Sequence, residues 1–368
     1  MAPYQILVVD DSVFMRKIIS DLITENPQFN VIGTAKNGKE AVEQVKLLKP
    51  NAVTMDIEMP VMNGLEALQQ IMTEQPTPVI MLSSLTQEGA AETIKALELG
   101  AVDFIGKPSG SISLDLYKVK QMLHEKLQIA VKSKMRSLHP SSPPRIIQPP
   151  AQRSIPEAAK LPEVKLSARV GASVTHFDHL VAIGTSTGGP RALHQVISNI
   201  PADFPAPILI VQHMPPNFTK SLAQRLNDIS HIKVVEAQDG DILHIATAYI
   251  APGGWHMTAY KDSSKIYKIR LTKEEPRSGH RPSVDVMFES LLAMDELKRH
   301  IVLMTGMGSD GAKGMLALKQ VGAITTIAES EETCVVYGMP RAAVELKAAM
   351  HVLPQQDIAS KIAQAVLT

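Results

Sequence analysis

Two groups of residues in this 368-residue chain have the types and spacing for chemistry. The first stands at the ends of short apolar runs: Asp10 and Asp11 after residues 6–9, Asp56 after 52–55, Ser83 after 79–82 and Lys107 after 102–105. Three carboxylates that converge repel one another unless a cation joins them, and oxygen ligands with retained water suit Mg²⁺. In such a setting Asp56 could attack a phosphodonor. Lys107 and the metal would neutralise the growing charge, and the Ser83 hydroxyl would bond the new phosphoryl oxygen. A single Asp at such a place usually caps a helix or makes a turn. The five positions taken together favour chemistry.

The second group begins with Gly184-Thr185-Ser186-Thr187-Gly188-Gly189, which follows an apolar run and precedes a helical pattern carrying Leu193, Val196 and Ile197. A G-x-S-x-G string in that context reads as a nucleophile elbow: the glycines permit a sharp turn and the serine is exposed at its tip. Backbone N–H groups at the helix start, Thr187 among them, could hold an oxyanion. The competing reading is a phosphate cradle, against which stand the missing GKS/T ending and the missing G-x-G-x-x-G spacing. A serine hydroxyl needs a base. His213 directly follows the run 207–212 and falls on the same rim, whereas His256, after Gly253-Gly254-Trp255, is the rival. His176, His194, His231, His244 and His280 lie in weaker contexts, and a lone histidine is usually structural. Asp310, in Thr305-Gly-Met-Gly-Ser-Asp310-Gly after the run 301–304, is placed to orient the ring, with helix capping as its simpler role.

Positioning these residues takes two α/β units. In residues 1–130, apolar runs at 6–9, 31–32, 52–55, 79–82 and 102–105 alternate with amphipathic stretches such as 12–24 and 40–48. That alternation predicts a doubly wound parallel sheet of five strands, with its site at their carboxyl ends. Residues 131–175 form a linker: seven prolines fall within 140–162 among Ser, Gln and Ala, and apolar residues are too sparse for a core. In residues 176–368 the runs 179–184, 208–212, 233–236, 301–305, 323–326 and 350–353 predict a second parallel sheet, Rossmann-like in its winding. The closely spaced runs 249–251, 256–259 and 265–270 predict an antiparallel hairpin appendage.

Composition narrows the function classes. Thirty-seven basic and 37 acidic residues give a formal charge of zero, so no broad basic field holds nucleic acid or an anionic membrane. The single cysteine, Cys334, excludes an internal disulfide and suits a buried structural thiol in a reducing compartment. No apolar stretch has membrane-spanning length and no signal peptide opens the chain, so the cytoplasm is expected.

Residues 1–125 resemble a response-regulator receiver domain, a flavodoxin-like fold, through Asp10-Asp11, Met55-Asp56-Ile57-Glu58-Met59-Pro60, Asn63-Gly64, Leu82-Ser83-Ser84 and Lys107-Pro108. The resemblance implies that Asp56 is the phosphoacceptor, that Asp11, Asp56 and the Glu58 carbonyl hold Mg²⁺ with Asp10 acting through water, and that Phe104 reorients with Ser83. It also implies a cis Lys107-Pro108 bond. Residues 178–366 resemble the catalytic domain of the chemotaxis protein-glutamate methylesterases. The strings are Ile183-Gly-Thr-Ser-Thr-Gly-Gly-Pro190, Val211-Gln-His-Met-Pro215, Ala251-Pro-Gly-Gly254, Arg281-Pro-Ser-Val-Asp285, Leu303-Met-Thr-Gly-Met-Gly-Ser-Asp-Gly311 and Gly338-Met-Pro340. This resemblance implies catalysis by Ser186, His213 and Asp310, with an oxyanion hole at the backbones of Thr187 and Met307.

The expected function is therefore a phosphorylation-activated esterase that removes methyl groups from glutamyl esters on the cytoplasmic helices of chemoreceptors and deamidates receptor glutamines. The expected phosphodonor is a chemotaxis histidine kinase; ester hydrolysis needs no cofactor. Three other classes are separable. A nonenzymatic adaptor would bind receptors without hydrolysis, and an esterase of small metabolites would prefer free methyl esters. A transcriptional regulator would need a helix-turn-helix with a basic recognition helix, which the downstream sequence lacks.

Overall fold

The computed structural model describes residues 2–84, 86–107, 113–133 and 176–367, so Pro108 and residues 134–175 of the linker lie outside the described residues. The first half alternates as expected: β1 (Tyr4–Val9), α1 (Val13–Thr24), β2 (Phe29–Ala35), α2 (Gly38–Leu48), β3 (Ala52–Asp56), α3 (Gly64–Glu74), β4 (Val79–Ser83), α4 (Gln87–Glu98), β5 (Asp103–Gly106) and α5 (Ser113–Lys132). The five strands make one parallel sheet in the order β2-β1-β3-β4-β5. Helices cover both faces, so β3 and β4 are buried at every position, as their unbroken apolar runs require. The strand order reverses between β1 and β3, and there the carboxyl ends of parallel strands open a crevice. The Asn63-Gly64 pair has a local reason. Asn63 and Glu66 close a capping box on α3. A Cβ on Gly64 would fall 2.0 Å from the Asp56 carbonyl oxygen, so only glycine lets α3 start against the end of β3.

The second half runs β6 (His179–Thr185), α6 (Gly189–Ile197), β7 (Ile208–Gln212), α7 (Phe218–Ile229), β8 (Lys233–Glu236), β9 (Thr247–Ile250), β10 (His256–Lys261), β11 (Tyr267–Thr272), α8 (Val284–Ser290), β12 (Lys298–Leu303), α9 (Ala312–Gln320), β13 (Thr325–Glu329), α10 (Met339–Glu345), β14 (His351–Leu353) and α11 (Gln355–Leu367). Seven strands form a parallel sheet in the order β14-β13-β12-β6-β7-β9-β8, and β10 pairs antiparallel with β11 beside it. One expectation is corrected: Tyr249 and Ile250 belong not to the appendage but to β9, parallel to both β7 and β8. A short apolar run between turns carries no direction of its own. All four β9 residues are buried, the condition of an inner parallel strand.

The two halves meet through helices, with α4 packed on α6 and α7. Ala90, Ile94 and Leu97 join one apolar cluster with Ala192, Phe218 and Leu222. Arg225 Nε donates to both Glu98 carboxylate oxygens, at 2.9 and 3.1 Å.

At the amino ends of β6 and β12, away from any strand-end site, His179 Nδ1 lies 3.0 Å from His300 Nε2 with the rings stacked. His300 is fully buried, and that burial first, then the charges of His179 and Lys298, push its pKa down to about 4. A histidine with a lowered folded pKa takes up its proton later than the unfolded chain does. Its effect on stability is nil above pH 6.5 and grows unfavourable as pH falls from 6.5 toward about 4. Thermal melts should therefore show a stability loss across that interval that shrinks in His300→Gln.

Candidate functional site

Ser186 stands in the turn that joins the end of β6 to the start of α6. Its N–H donates to the Thr305 carbonyl at 3.0 Å, and Gly188 at φ 80° takes the left-handed conformation that the turn needs. The loop that bears His213 is tied to this turn twice. The His213 N–H donates to the Thr185 carbonyl at 3.1 Å. The Gln212 carboxamide, buried, donates from Nε2 to the carbonyls of Ser186 (2.9 Å) and His213 (3.2 Å), and its Oε1 accepts from the Thr185 hydroxyl at 2.5 Å. Sequence reading passed over Gln212, although a polar residue closing an otherwise apolar buried strand was the available signal.

Asp310, in the loop between β12 and α9, is buried with its carboxylate against the amino end of α8. Its Oδ2 accepts from His213 Nε2 at 2.9 Å and from the Val284 N–H at 2.7 Å, while Oδ1 accepts from the Ser283 hydroxyl at 2.9 Å and the Asp285 N–H at 3.0 Å. Burial pushes its pKa up, but the hydrogen bond and charge of His213 and these backbone donors outweigh it and hold the carboxyl at about 2. An ionised carboxylate only accepts. His213 must therefore carry its proton on Nε2, which leaves the lone pair of the neutral ring on Nδ1. That atom is buried and has no hydrogen-bond partner among the described residues. The Ser186 hydroxyl is not bonded to it in this state; catalytic contacts in resting enzymes are often long and tighten with substrate bound.

The rival base is spent elsewhere. His256 is buried, with Nε2 facing the Glu275 carbonyl at 3.1 Å and Nδ1 accepting from the Ser283 N–H at 3.2 Å. Among the histidines in weaker contexts, His280 lies closest to the site, stacked on His213 with ring centroids 3.9 Å apart and planes 9° from parallel.

The loop after β12 closes the other side of Ser186. A Cβ on Gly306 would fall 2.8 Å from Ser186 Cβ, so this loop lies directly on the serine. The Ser186 N–H is used on the Thr305 carbonyl; of the two residues expected to supply oxyanion donors, Thr187 is buried and Met307 exposed. Glu329 braces the loop: fully buried, it accepts from the Thr305 N–H and the Thr333 hydroxyl, each at 2.9 Å, and burial holds its pKa up. Cys334, expected to be buried, is half-buried, with its thiol pushed up by burial and then by the Glu329 charge.

On the first sheet, Asp10 and Asp56 are buried and Asp11 is exposed, and one carboxylate oxygen from each lies within 4.8 Å of the others. Lys107 Nζ is 2.6 Å from Asp56 Oδ2 and 3.1 Å from Asp10 Oδ2. The Glu58 N–H donates to Asp56 Oδ1 at 3.4 Å. Burial raises the Asp56 pKa to about 6 against the opposing pull of Lys107. A carboxyl so placed gains from an arriving cation, and three oxygen donors on three side chains fit a hard divalent ion. Ser83 is turned toward α4: its hydroxyl donates toward the Ser84 and Gly89 carbonyls and accepts from Thr93 at 2.7 Å. Phe104 is buried and stacks on Phe218 of the second half, centroids 4.5 Å apart. Beside it, Asp103 Oδ1 pairs with Lys126 at 2.6 Å and Oδ2 accepts from the Thr187 hydroxyl at 2.5 Å. The residue after Ser186 is thus bonded to the first sheet, a contact absent from the sequence reading.

Residues 6–116 match the response regulator receiver domain family, and residues 181–362 match the CheB methylesterase family. A protein-glutamate methylesterase/protein-glutamine glutaminase of Geobacillus kaustophilus is 50% identical over 366 residues, 100% of this chain and 99% of its own. The Bacillus subtilis protein of the same name is 46% identical over 98% of each chain. The crystal structure of the Thermotoga maritima CheB methylesterase catalytic domain superposes with a TM-score of 0.50 at 44% identity, over 51% of this chain and 98% of that one. Likeness of this extent, end to end and with both domains in the same order, makes the chain a member of the receiver-linked CheB methylesterase family.

Proposed function

We propose that Ser186, His213 and Asp310 hydrolyse glutamyl methyl esters, and the amides of glutamine side chains, on the cytoplasmic helices of chemoreceptors. The observation that carries this reading is the pinned tautomer. With Nε2–H held by ionised Asp310, the free Nδ1 of His213 is the base available to a serine whose loop is lashed to its own. The Ser186 oxygen attacks the ester carbonyl and gives its proton to Nδ1, while the N–H groups of Thr187 and Met307 receive the oxyanion. Collapse returns the proton to the departing methoxide, which leaves as methanol, or to the amide nitrogen, which leaves as ammonia. Water then repeats the sequence on the acyl-enzyme and frees glutamate and Ser186.

The receiver, residues 1–130, is joined to the catalytic unit, residues 176–368, through the linker 131–175. Asp56 is the phosphoacceptor, supplied by a chemotaxis histidine kinase in the cytoplasm. Asp11, Asp56 and the Glu58 carbonyl would hold Mg²⁺, with Asp10 acting through water, and the ion when bound offsets the charge of the incoming phosphoryl group. Among the described residues no helix is long and apolar enough to cross a membrane. A phosphoryl group on Asp56 would draw the Ser83 hydroxyl from α4 and move Phe104 of β5, the strand that bears both the Phe104–Phe218 stack and the Asp103–Thr187 bond. Phosphorylation thereby lifts the receiver from the serine rim.

Purified full-length protein incubated with a methylated receptor cytoplasmic fragment should release methanol and leave glutamate at the modified positions by mass spectrometry. Hydrolysis of free methyl esters with the receptor fragment untouched would overturn the substrate assignment. Receptor binding without any release would overturn the enzymatic one.

A further inference from the structure

His280 has no part in the hydrolysis so far, yet no side chain in this site lies in closer ring contact with the base. It is the last residue of a tight turn whose two ends, Arg277 and His280, exchange backbone hydrogen bonds, and the turn is made possible by Ser278 at φ 52° and Gly279 at φ 81°. Arg277 is anchored in turn on Glu289 of α8, the helix whose amino end holds Asp310. The turn thus folds one imidazole flat against another, 3.9 Å between centroids and 9° from parallel. Burial, and then the charge of His213, hold the His280 pKa down at about 4, so the plate is a neutral ring at neutral pH.

A single hydrogen bond to Asp310 fixes where one edge of the His213 ring sits but leaves the ring free to tilt about that edge. A rigid plane against its face removes the tilt, and with it the swing of Nδ1 relative to the serine turn. A neutral aromatic face is also the better neighbour for the imidazolium that forms when His213 takes the serine proton, because it attracts a cation where a second charged ring would repel it. We propose that His280 is a positioning residue for the hydrolysis: by stacking, it holds the plane of His213 so that Nδ1 is aimed at Ser186. This rests on the reading of Ser186 and His213 given above.

The test compares His280→Ala, His280→Phe and, as a control on the underlying reading, Ser186→Ala, all in the full-length chain with the methylated receptor fragment. His280→Ala should lower kcat for methanol release by about 10- to 100-fold with KM changed less than about twofold, since a misaligned base slows chemistry and leaves binding alone. His280→Phe keeps a flat neutral ring and should return kcat to within about threefold of the parent, a rescue that a merely structural loop residue would not show. Melting curves of both variants should superpose on the parent. The inference is overturned by an unchanged kcat in His280→Ala, or by an equal loss in the folded Ala and Phe variants, which would make the imidazole itself the needed group. If Ser186→Ala still releases methanol, the hydrolytic reading fails instead, a result separate from both.

Discussion

Ser186→Ala is expected to lower kcat for methanol release by about 10⁴-fold or more, since removing the nucleophile of a serine triad takes away the covalent route while oxyanion donors and binding remain. Asp310→Asn should fall nearly as far, by about 10⁴-fold, for a different reason. An asparagine can present an N–H toward His213 Nε2, which then accepts; the ring's proton moves to Nδ1 and the base is lost in the atom that needs it. The same substitution also disturbs the Ser283 hydroxyl and the two N–H groups that now reach the carboxylate. Only one carboxamide oxygen remains to accept them, so a drop in melting temperature should accompany the kinetic loss. Methanol release under saturating receptor fragment, with binding followed separately, checks both variants. A Ser186→Ala enzyme within tenfold of the parent would remove the nucleophile assignment.

The second large effect is at the receiver. A small-molecule phosphodonor should raise methanol release by about 100-fold, a difference of about 2.7 kcal/mol between the two states of the receiver. Asp56→Ala should abolish the response and leave the basal rate. The contacts in hand are of the right scale: an aromatic pair such as Phe104–Phe218 contributes about 0.5–1.5 kcal/mol beyond its buried area. The Asp103–Thr187 hydrogen bond to a charged acceptor adds to it. A partial mimic follows from Arg225 and Glu98, which face each other across the α4–α7 contact. Arg225→Glu sets two like charges there and should raise the unphosphorylated rate by several-fold, and adding Glu98→Arg should bring it back down. Equal rates with and without phosphodonor in the parent would eliminate the switch.

Much of this was legible from residue order because a parallel sheet collects the carboxyl ends of its strands on one edge. Any reactive side chain that follows an apolar run therefore falls near the others. Asp10, Asp56 and Lys107 came together in that way, as did His213 and Asp310. What stayed hidden depends on contacts that no local pattern encodes. Tyr249 and Ile250 were placed in a hairpin because four buried residues between turns look alike whether their neighbours run parallel or antiparallel. His280 reaches His213 only because the 277–280 turn folds back. Asp103 lies within the run 102–105 already read as a strand, but its bond to Thr187 spans 84 positions of chain.

That bond places an obligation on the molecule that works in both directions. Free-energy coupling between two sites has one value whichever end is perturbed. If phosphorylation of Asp56 frees the turn that carries Ser186, then any ligand that seizes this turn and evicts the receiver must make Asp56 easier to phosphorylate. A receptor helix docked on the serine would thus recruit the activating signal to the very copy already sitting on its substrate, so that engagement and arousal of the enzyme reinforce each other.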